Sequence, residues 1–414
     1  MKTLSLGLDF GTSNTACSLF DGSKEIDLGR ICAPSPSALY FFSESDKAPL
    51  SGRGAVSEYY SGKSKGRLLL GIKSLLSDAS FEETTIFGEE YTCSQLISIL
   101  LHRVRADVEA KTGQPIERVV LGRPVRFAGD NDELALERLK LAARLAGFKK
   151  IDFEFEPVAA ALSVDGLDYG GIGVVCDLGG GTSDFTVVKM PSGPSVSGAL
   201  EREEVLGTAG FGEAGNRIDG DFVYEKICPL LGRDSTFSSW GTTKNMPPQI
   251  HVRFSDKERV PFLKSEGMLD LVKRIAHTSD SPDQLRLMEE ILERNLGHRI
   301  HKSAESVKIG IETEGAAEFH EHFNSGSIDV GISKGDYYKF IEGYTKKVRS
   351  SLENLVDDCG LQLSDIDSVL MTGGTSLLRP VNVLMSELFP SAHVIGDRVF
   401  DRVAYGLGRI ASNS

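Results

Sequence analysis

Two aspartates in this chain each close an apolar run and open a turn of glycine and hydroxyl residues. Asp9 follows Leu4 to Leu8 and leads into Phe10-Gly11-Thr12-Ser13-Asn14. Asp177 follows Gly173 to Cys176 and leads into Leu178-Gly179-Gly180-Gly181-Thr182-Ser183-Asp184. A third apolar run, Val369 to Met371, enters Thr372-Gly373-Gly374-Thr375-Ser376 without an aspartate. Such turns offer backbone N–H groups and hydroxyls with no bulky side chain in the way, which suits phosphate. An aspartate at a strand end can hold Mg2+ through water, because that small ion keeps most of its hydration shell. A divalent ion between phosphate oxygens neutralises the charge that develops in phosphoryl transfer. One such turn alone would be an ordinary β-turn; two copies plus a third glycine turn point to a phosphate site.

These turns need strands on both sides. Leu4 to Asp9 and Ala16 to Phe20 read as a hairpin, and Gly173 to Asp177 with Phe185 to Met190 reads as a second. The offset between them, 177 minus 9, is 168 residues. A repeat of strand, Asp, glycine turn and strand implies two related lobes, each lending a turn to one cleft. Helices are expected over Ser94 to Lys111, Asp132 to Ala146, Pro282 to Ile311, Asp336 to Cys359, and from Asp401 to the chain end. Val119-Val120-Leu121 reads as a short buried strand stopping at Gly122-Arg123-Pro124. Ser235 to Ser265, with the only Trp (Trp240) and Pro247-Pro248, reads as an insertion or a loop-rich subdomain edge.

Two other glycine patterns are set aside. Gly210-Phe-Gly212-Glu-Ala-Gly215 has dinucleotide spacing but follows Glu201 to Leu206, a poor buried strand, with no βαβ unit around it. Gly406-Leu-Gly408-Arg-Ile-Ala411 fits loosely, with no domain after it. The composition is that of a globular protein, except that 44 of 414 residues are glycine, above the usual share of roughly 7%. The net charge of -13 disfavours nucleic acid and anionic membranes as general partners. With no signal peptide, no long apolar run and six scattered cysteines without a CxxC, the chain reads as cytoplasmic, with reduced thiols.

At this point the residues resemble the actin-like ATPase superfamily, and within it the ATPase domain of DnaK-type heat-shock chaperones. Leu6 to Asn14 and Asp177 to Asp184 look like its two phosphate loops. Gly71-Ile72-Lys73-Ser74-Leu75-Leu76 is similar to the segment carrying its catalytic lysine, and Phe155 to Leu162 to its Glu-Pro-x-Ala-Ala-Ala stretch. Gly215 to Asp219 resembles a degraded Gly-Gly-Glu-Asp-Phe-Asp segment. Ala304 to Lys308 resembles the adenosine-contacting helix, and Met371 to Ser376 the adenosine loop. The resemblance implies an α/β, actin-like ATPase (ribonuclease H-like) fold, two lobes with mixed sheets around a nucleotide cleft. It implies ATP or ADP with Mg2+, and K+ as a further candidate ion.

By the same resemblance, Asp9 and Asp177 would hold hydrated Mg2+. Gly11, Thr12, Ser13, Asn14, Gly179, Gly180, Gly181 and Thr182 would cradle phosphates. Lys73 would stabilise γ-phosphate charge, and Glu156 with Asp177 would orient the attacking water. Gly215, Glu305, Lys308, Glu312, Gly373, Gly374, Thr375 and Ser376 would serve the nucleoside end. The chain departs from the family at Leu377, where an adenine-stacking Arg is expected, and at Ile309 and Glu312, which replace an Arg and a Ser. Pro124 matches the interlobe proline, but the stretch from Ala128 to Asp132 is longer. With Ser414 as its last residue, the chain is expected to lack a peptide-binding domain, as in the stand-alone YegD-type members it resembles.

The expected domains are lobe I at 1–170, with a subdomain at about 38–112, and lobe II at 171–390, with an enlarged subdomain at about 212–330. Residues 391–414 form a closing helix returning to lobe I. The expected function is a monomeric, chaperone-like ATPase that hydrolyses ATP slowly as a conformational switch. A client or co-chaperone is left unidentified. Two rivals stay open: a small-molecule kinase of the same superfamily using Asp184 or Glu156 as its base, and a nucleotide-dependent scaffold or filament.

Overall fold

A computed structural model describes residues 4–22, 24–44, 46–61, 64–127, 131–163, 171–190, 205–257, 259–260, 263, 267–396 and 400–413. Two sheets carry the aspartates. In the first, Lys150–Phe155, Arg118–Arg123, Ser5–Phe10, Asn14–Asp21 and Lys24–Glu25 lie side by side in that order, with Ser35–Pro36 also on Asn14–Asp21. In the second the order is Val205–Phe211, Ser183–Met190, Gly171–Leu178, Ser368–Thr372 and His393–Ile395.

The repeat read from the turns extends to the pairing. Ser5–Phe10 is antiparallel to its hairpin partner, Asp9 opposite Ala16, and parallel to Arg118–Arg123, Leu6 opposite Val119. Gly171–Leu178 is antiparallel to Ser183–Met190, Asp177 opposite Asp184, and parallel to Ser368–Thr372, Val175 opposite Leu370. Antiparallel neighbours close with a tight turn, whereas parallel ones need a crossover. Each aspartate strand therefore meets its turn at one end and a distant segment at its side. The same pattern twice is what a duplicated unit produces.

The expected helices form for identifiable reasons. Cys93–Thr112 starts on a capping box between Thr92 and Gln95 and stops at Gly113, whose φ is 68°. It buries Leu96, Ile97, Leu100, Leu101 and Val108 against the first sheet. Asp132–Leu145 is capped by the Asn131 side chain, and Asp132 and Glu133 sit in its positive first turn. Glu156–Leu162 follows directly on strand Lys150–Phe155, with Pro157 in the first turn and every residue from Pro157 to Leu162 buried.

Contacts divide the chain into two compact units. The first holds residues 1–212, 348–377 and 381–414, and includes both sheets just described. The second holds 213–347 and 378–380. The lobe boundary expected near 170 falls within the first unit, at residues outside those described.

In the first unit the final helix, Arg402–Asn413, packs closely on the first sheet. A Cβ on Gly406 would sit 1.8 Å from the Ala159 carbonyl oxygen, and one on Gly7 would sit 2.1 Å from the Gly408 nitrogen. The Gly406 and Gly408 pair, set aside above as a dinucleotide motif, is thus a close-packing face, with Gly406 against helix Glu156–Leu162 and Gly408 against the first sheet.

The second unit contains hairpin Ala316–Phe323 with Gly326–Ser333 and several helices. The helical stretch expected over Pro282 to Ile311 is two helices, Pro282–Glu293 and Gly297–Glu314, broken at Asn295, whose φ is 55°. The loop-rich reading of Ser235 to Ser265 needs correction. Thr236–Ser239 and Thr242–Asn245 form a hairpin, and Pro248–Phe254 is a helix anchored by buried Ile250 and Phe254. Polar strand residues hid the hairpin, because neither face shows the alternation a half-buried strand needs. No helix among the described residues is long and apolar enough to cross a membrane, and all six cysteines are unpaired as disulfides.

Candidate nucleotide site

The first unit contains a cavity of about 720 Å³. Its wall includes Asp9, Gly11, Thr12, Ser13, Asn14, Lys73, Glu156, Asp177, Gly179, Gly180, Gly181, Thr182, Gly373 and Gly374. These come from five separate stretches of sequence. Both aspartate turns close on themselves: the Gly11 N–H donates to the Asn14 carbonyl at 2.9 Å, and the Gly179 N–H to the Thr182 carbonyl at 3.1 Å. The tips at residues 12–13 and 180–181 face the cavity.

Lys73 sits on the short helical turn Ile72–Leu75, after Gly71 in a left-handed conformation. Its ammonium donates to Glu156 Oε1 at 2.8 Å, and both side chains are largely buried. Burial alone would lower the Lys73 pKa; the carboxylates of Glu156, Asp9 and Asp177 outweigh it and hold the lysine above its ordinary value. The lysine is therefore a fixed positive charge.

The carboxylates are under the opposite pressure. Burial, then the nearby Glu156 charge, pushes Asp9 up to about 7 against the pull of Lys73. Burial and the charges of Glu156, Asp184 and Asp9 push Asp177 well above the carboxylate range. Asp184, across the hairpin from Asp177, is raised to about 6, mainly by burial. Four carboxylates share one lysine, so their ionised forms are undercompensated by the protein's own groups. A divalent cation fits that deficit. Among the described residues no three His, Cys, Asp or Glu side chains converge as a direct ligand set. An ion here would be held largely through water and phosphate oxygens, as Mg2+ prefers.

The third turn stacks on the second. Gly373 has a φ of 79°, and a Cβ on it would lie 2.3 Å from the Leu178 carbonyl oxygen, so only glycine fits. Thr375 and Ser376 are buried, and their hydroxyls serve the turn rather than the cavity. The Thr375 hydroxyl donates to the Gly179 carbonyl at 2.6 Å and the Ser376 hydroxyl to the Gly373 carbonyl at 2.6 Å.

The remaining expected residues lie in the second unit. Lys308 donates to the buried Asp219 carboxylate at 2.7 Å and reaches the Gly215 carbonyl at 3.4 Å. Glu305 pairs with Lys257 at 3.4 Å. Glu312 accepts from the Tyr338 hydroxyl at 3.2 Å. Lys308, Asp219 and Gly215 thus form one cluster joining helices Gly297–Glu314 and Gly215–Phe222.

Comparison with known proteins gives the family. The family model described as "Hsp70 protein" matches residues 62–215 and 278–407, more than half of the chain. The chain belongs to the Hsp70 family. Its fold is therefore the actin-like ATPase fold of that family. The chain is also similar to "Chaperone protein DnaK" of Elusimicrobium minutum (strain Pei191). The two are 25% identical over 386 residues, 89% of this chain and 51% of that protein. It is similar to "Chaperone protein DnaK" of Mycoplasmopsis agalactiae, 22% identical over 398 residues, 94% of this chain and 55% of that protein. The chain spans about half the length of the curated relatives it matches.

Sequence reasoning missed three supports of this candidate site. Arg138, on helix Asp132–Leu145, donates to the carbonyls of Leu75, Leu76, Asp78 and Phe81 at 2.6 to 3.1 Å, and so clamps the loop behind Lys73. Ser37 donates to the Gly11 carbonyl at 2.7 Å, and its N–H to the Ser13 carbonyl at 2.9 Å, bracing the first turn. Phe400 lines the cavity from just before the last helix. Nothing in the spacing of Arg138 or Ser37 marks them, since their partners are distant backbone carbonyls. Asp184 is different. It occupies the repeat position of Ala16, so comparing the two hairpins residue by residue exposes it as the one added carboxylate.

Proposed function

We propose that the chain binds ATP with Mg2+ and hydrolyses it slowly, with nucleotide state as its output in a chaperone-like role. The observation that carries this reading is the convergence of Asp9, Asp177, Lys73 and Glu156 with two glycine turns on one cavity. Asp9 and Asp177 would hold hydrated Mg2+, whose contribution when bound is to neutralise phosphate charge. Residues 11–14 and 179–182 cradle phosphate oxygens with N–H groups and hydroxyls. Lys73 adds a fixed positive charge where the γ-phosphate is cleaved. Glu156, held in place by Lys73, orients the attacking water together with Asp177. Such carboxylates suffice because this chemistry needs positioning and charge neutralisation more than a strong base.

By the family resemblance, Glu305, Lys308, Glu312 and Gly215 are proposed nucleoside contacts, as are Gly373 to Ser376. A cytoplasmic, monomeric protein goes with this reading, the compartment supported by the scattered thiols. Calorimetry with Mg2+-ATP and a phosphate-release assay test it. The expected result is binding with slow turnover that Lys73→Ala abolishes; failure of the wild-type chain to bind Mg2+-ATP overturns it.

Asp184 favours one second reading. It lines the cavity and its pKa of about 6 suits a base that takes a proton from an acceptor hydroxyl. A kinase reading would show as phosphate transfer to a small alcohol in a sugar panel, whereas phosphate appearing only in solution counts against it.

A further inference from the structure

Phe400 is the anomaly of the cavity wall. It is 54% exposed, while Phe127 and Phe185 elsewhere in that wall are 5% and 0% exposed. An apolar ring left open to water gains nothing for the fold, and apolar burial would be recovered only when something covers it. Phe400 directly precedes an anchored element. It stands two residues before helix Arg402–Asn413, whose start is anchored by buried Arg402 and by the Tyr405 N–H donating to the Asp401 carbonyl at 2.8 Å. Val403, one turn on, lines the same cavity.

A chain of contacts locates the ring relative to the phosphate turns. The turn at Gly179 carries Thr375 and Gly373 directly on it, through the hydrogen bond to the Gly179 carbonyl and the close approach to Leu178. Gly374 follows, and a Cβ there would come within 3.1 Å of Phe400 Cε1 and 3.8 Å of Cζ. A side chain at Gly374 would crowd the edge of the ring. The ring therefore lies against the third glycine turn, which itself rests on the phosphate loop at Gly179, and it lines the same cavity.

We propose that Phe400 is the aromatic platform for the nucleobase, a specificity-determining residue for ligand binding in this cavity. The proposal rests on the ATP reading above. A base has two π-faces and little charge, so it matches an exposed phenyl ring, whereas a free phosphate or Mg2+ does not.

The test is calorimetry on the full chain with Mg2+-ATP and with Mg2+-tripolyphosphate, which has the phosphates but no base. The variants are Phe400→Leu, which keeps an apolar side chain of similar size, Phe400→Ala and Phe400→Trp. The expected result is a roughly tenfold loss of ATP affinity in Phe400→Leu and Phe400→Ala, with tripolyphosphate affinity unchanged and ATP affinity kept in Phe400→Trp. Thermal melting of Phe400→Leu checks that it is folded, and Phe400→Trp keeps the comparison open if Phe400→Ala is not. Equal ATP affinity in wild type and Phe400→Leu overturns the proposal and leaves the ATP reading standing. Equal losses for both ligands also overturn it, because the ring would then act only by holding Gly374. If the wild-type chain binds tripolyphosphate but gains nothing from the base, the platform is absent; if it binds neither ligand, the ATP reading falls first and this one with it.

Discussion

The Lys73 ammonium lies 2.8 Å from Glu156 Oε1, though 83 residues separate them in the chain. Each stands at the start of a short helical segment, Ile72–Leu75 and Glu156–Leu162, and each is largely buried. Removing one partner strands the other's charge in a cavity already crowded with carboxylates. Lys73→Ala should therefore cut ATP turnover by about 100-fold or more while changing Mg2+-ATP affinity by only a few fold. Single-turnover hydrolysis beside calorimetry separates the two effects. Equal loss of both would mean that Lys73 serves ground-state binding.

Arg138 should act on Lys73 from behind. Arg138→Met removes four hydrogen bonds to the loop from Leu75 to Phe81 while keeping much of the side-chain volume. Turnover should fall roughly tenfold with nearly unchanged nucleotide affinity, and amide exchange at residues 76–81 should speed up. Unchanged exchange there would show that the loop is held by other contacts.

Gly406→Ala should destabilise the first unit by about 3 kcal/mol or more, because the new Cβ meets the backbone oxygen of Ala159 at 1.8 Å. Backbone cannot swing aside as a flexible side chain can, so the final helix must shift. Urea unfolding measures this, and a loss under about 1 kcal/mol would show that the helix moves freely.

Ligand linkage gives a test independent of turnover. Mg2+-ATP at about 100 times its Kd should raise unfolding free energy by about 2.7 kcal/mol. EDTA should remove most of that gain, because the crowded carboxylates that repel one another in the free cavity also repel unneutralised phosphates. A thermal shift with ATP that is the same with and without EDTA would argue against an ion at Asp9 and Asp177.

Acid should weaken the second unit through its buried histidines. Burial lowers His298 to about 3 and His301 to about 4, whereas unfolded histidine titrates near 6.5. Between pH 6.5 and about 4 the unfolded chain takes up protons that the folded chain refuses. Stability is thus full above pH 6.5 and falls with acid, by at most roughly 1.4 kcal/mol per pH unit for each histidine. His301→Gln keeps a donor for the Phe254 carbonyl, which His301 Nε2 meets at 2.8 Å, and should flatten that slope. Denaturant midpoints at pH 7 and pH 5 for both proteins decide it.

Much of the candidate site was legible because its signals are local. Asp9 and Asp177 with their glycine turns, Lys73 in its apolar segment and Glu156 before Pro157 are each marked by a few adjacent residues. The long helices were legible from periodicity and caps. The hairpin at Thr236–Asn245 was not, because its polar strands lack an apolar face. The break at Asn295 was not, because a residue with a left-handed φ looks ordinary inside an amphipathic run.

The sequence by itself determined the repeat, the turn chemistry and the family, since all three are written in contiguous residues. Tertiary structure alone decided which carboxylates crowd one another, that Arg138 clamps the lysine loop, that Thr375 and Ser376 turn inward, and that Phe400 faces the cavity. The physical reason is the same in each case. Burial and through-space charge depend on residues far apart in the chain, and a backbone carbonyl can accept a hydrogen bond from any donor the fold delivers to it.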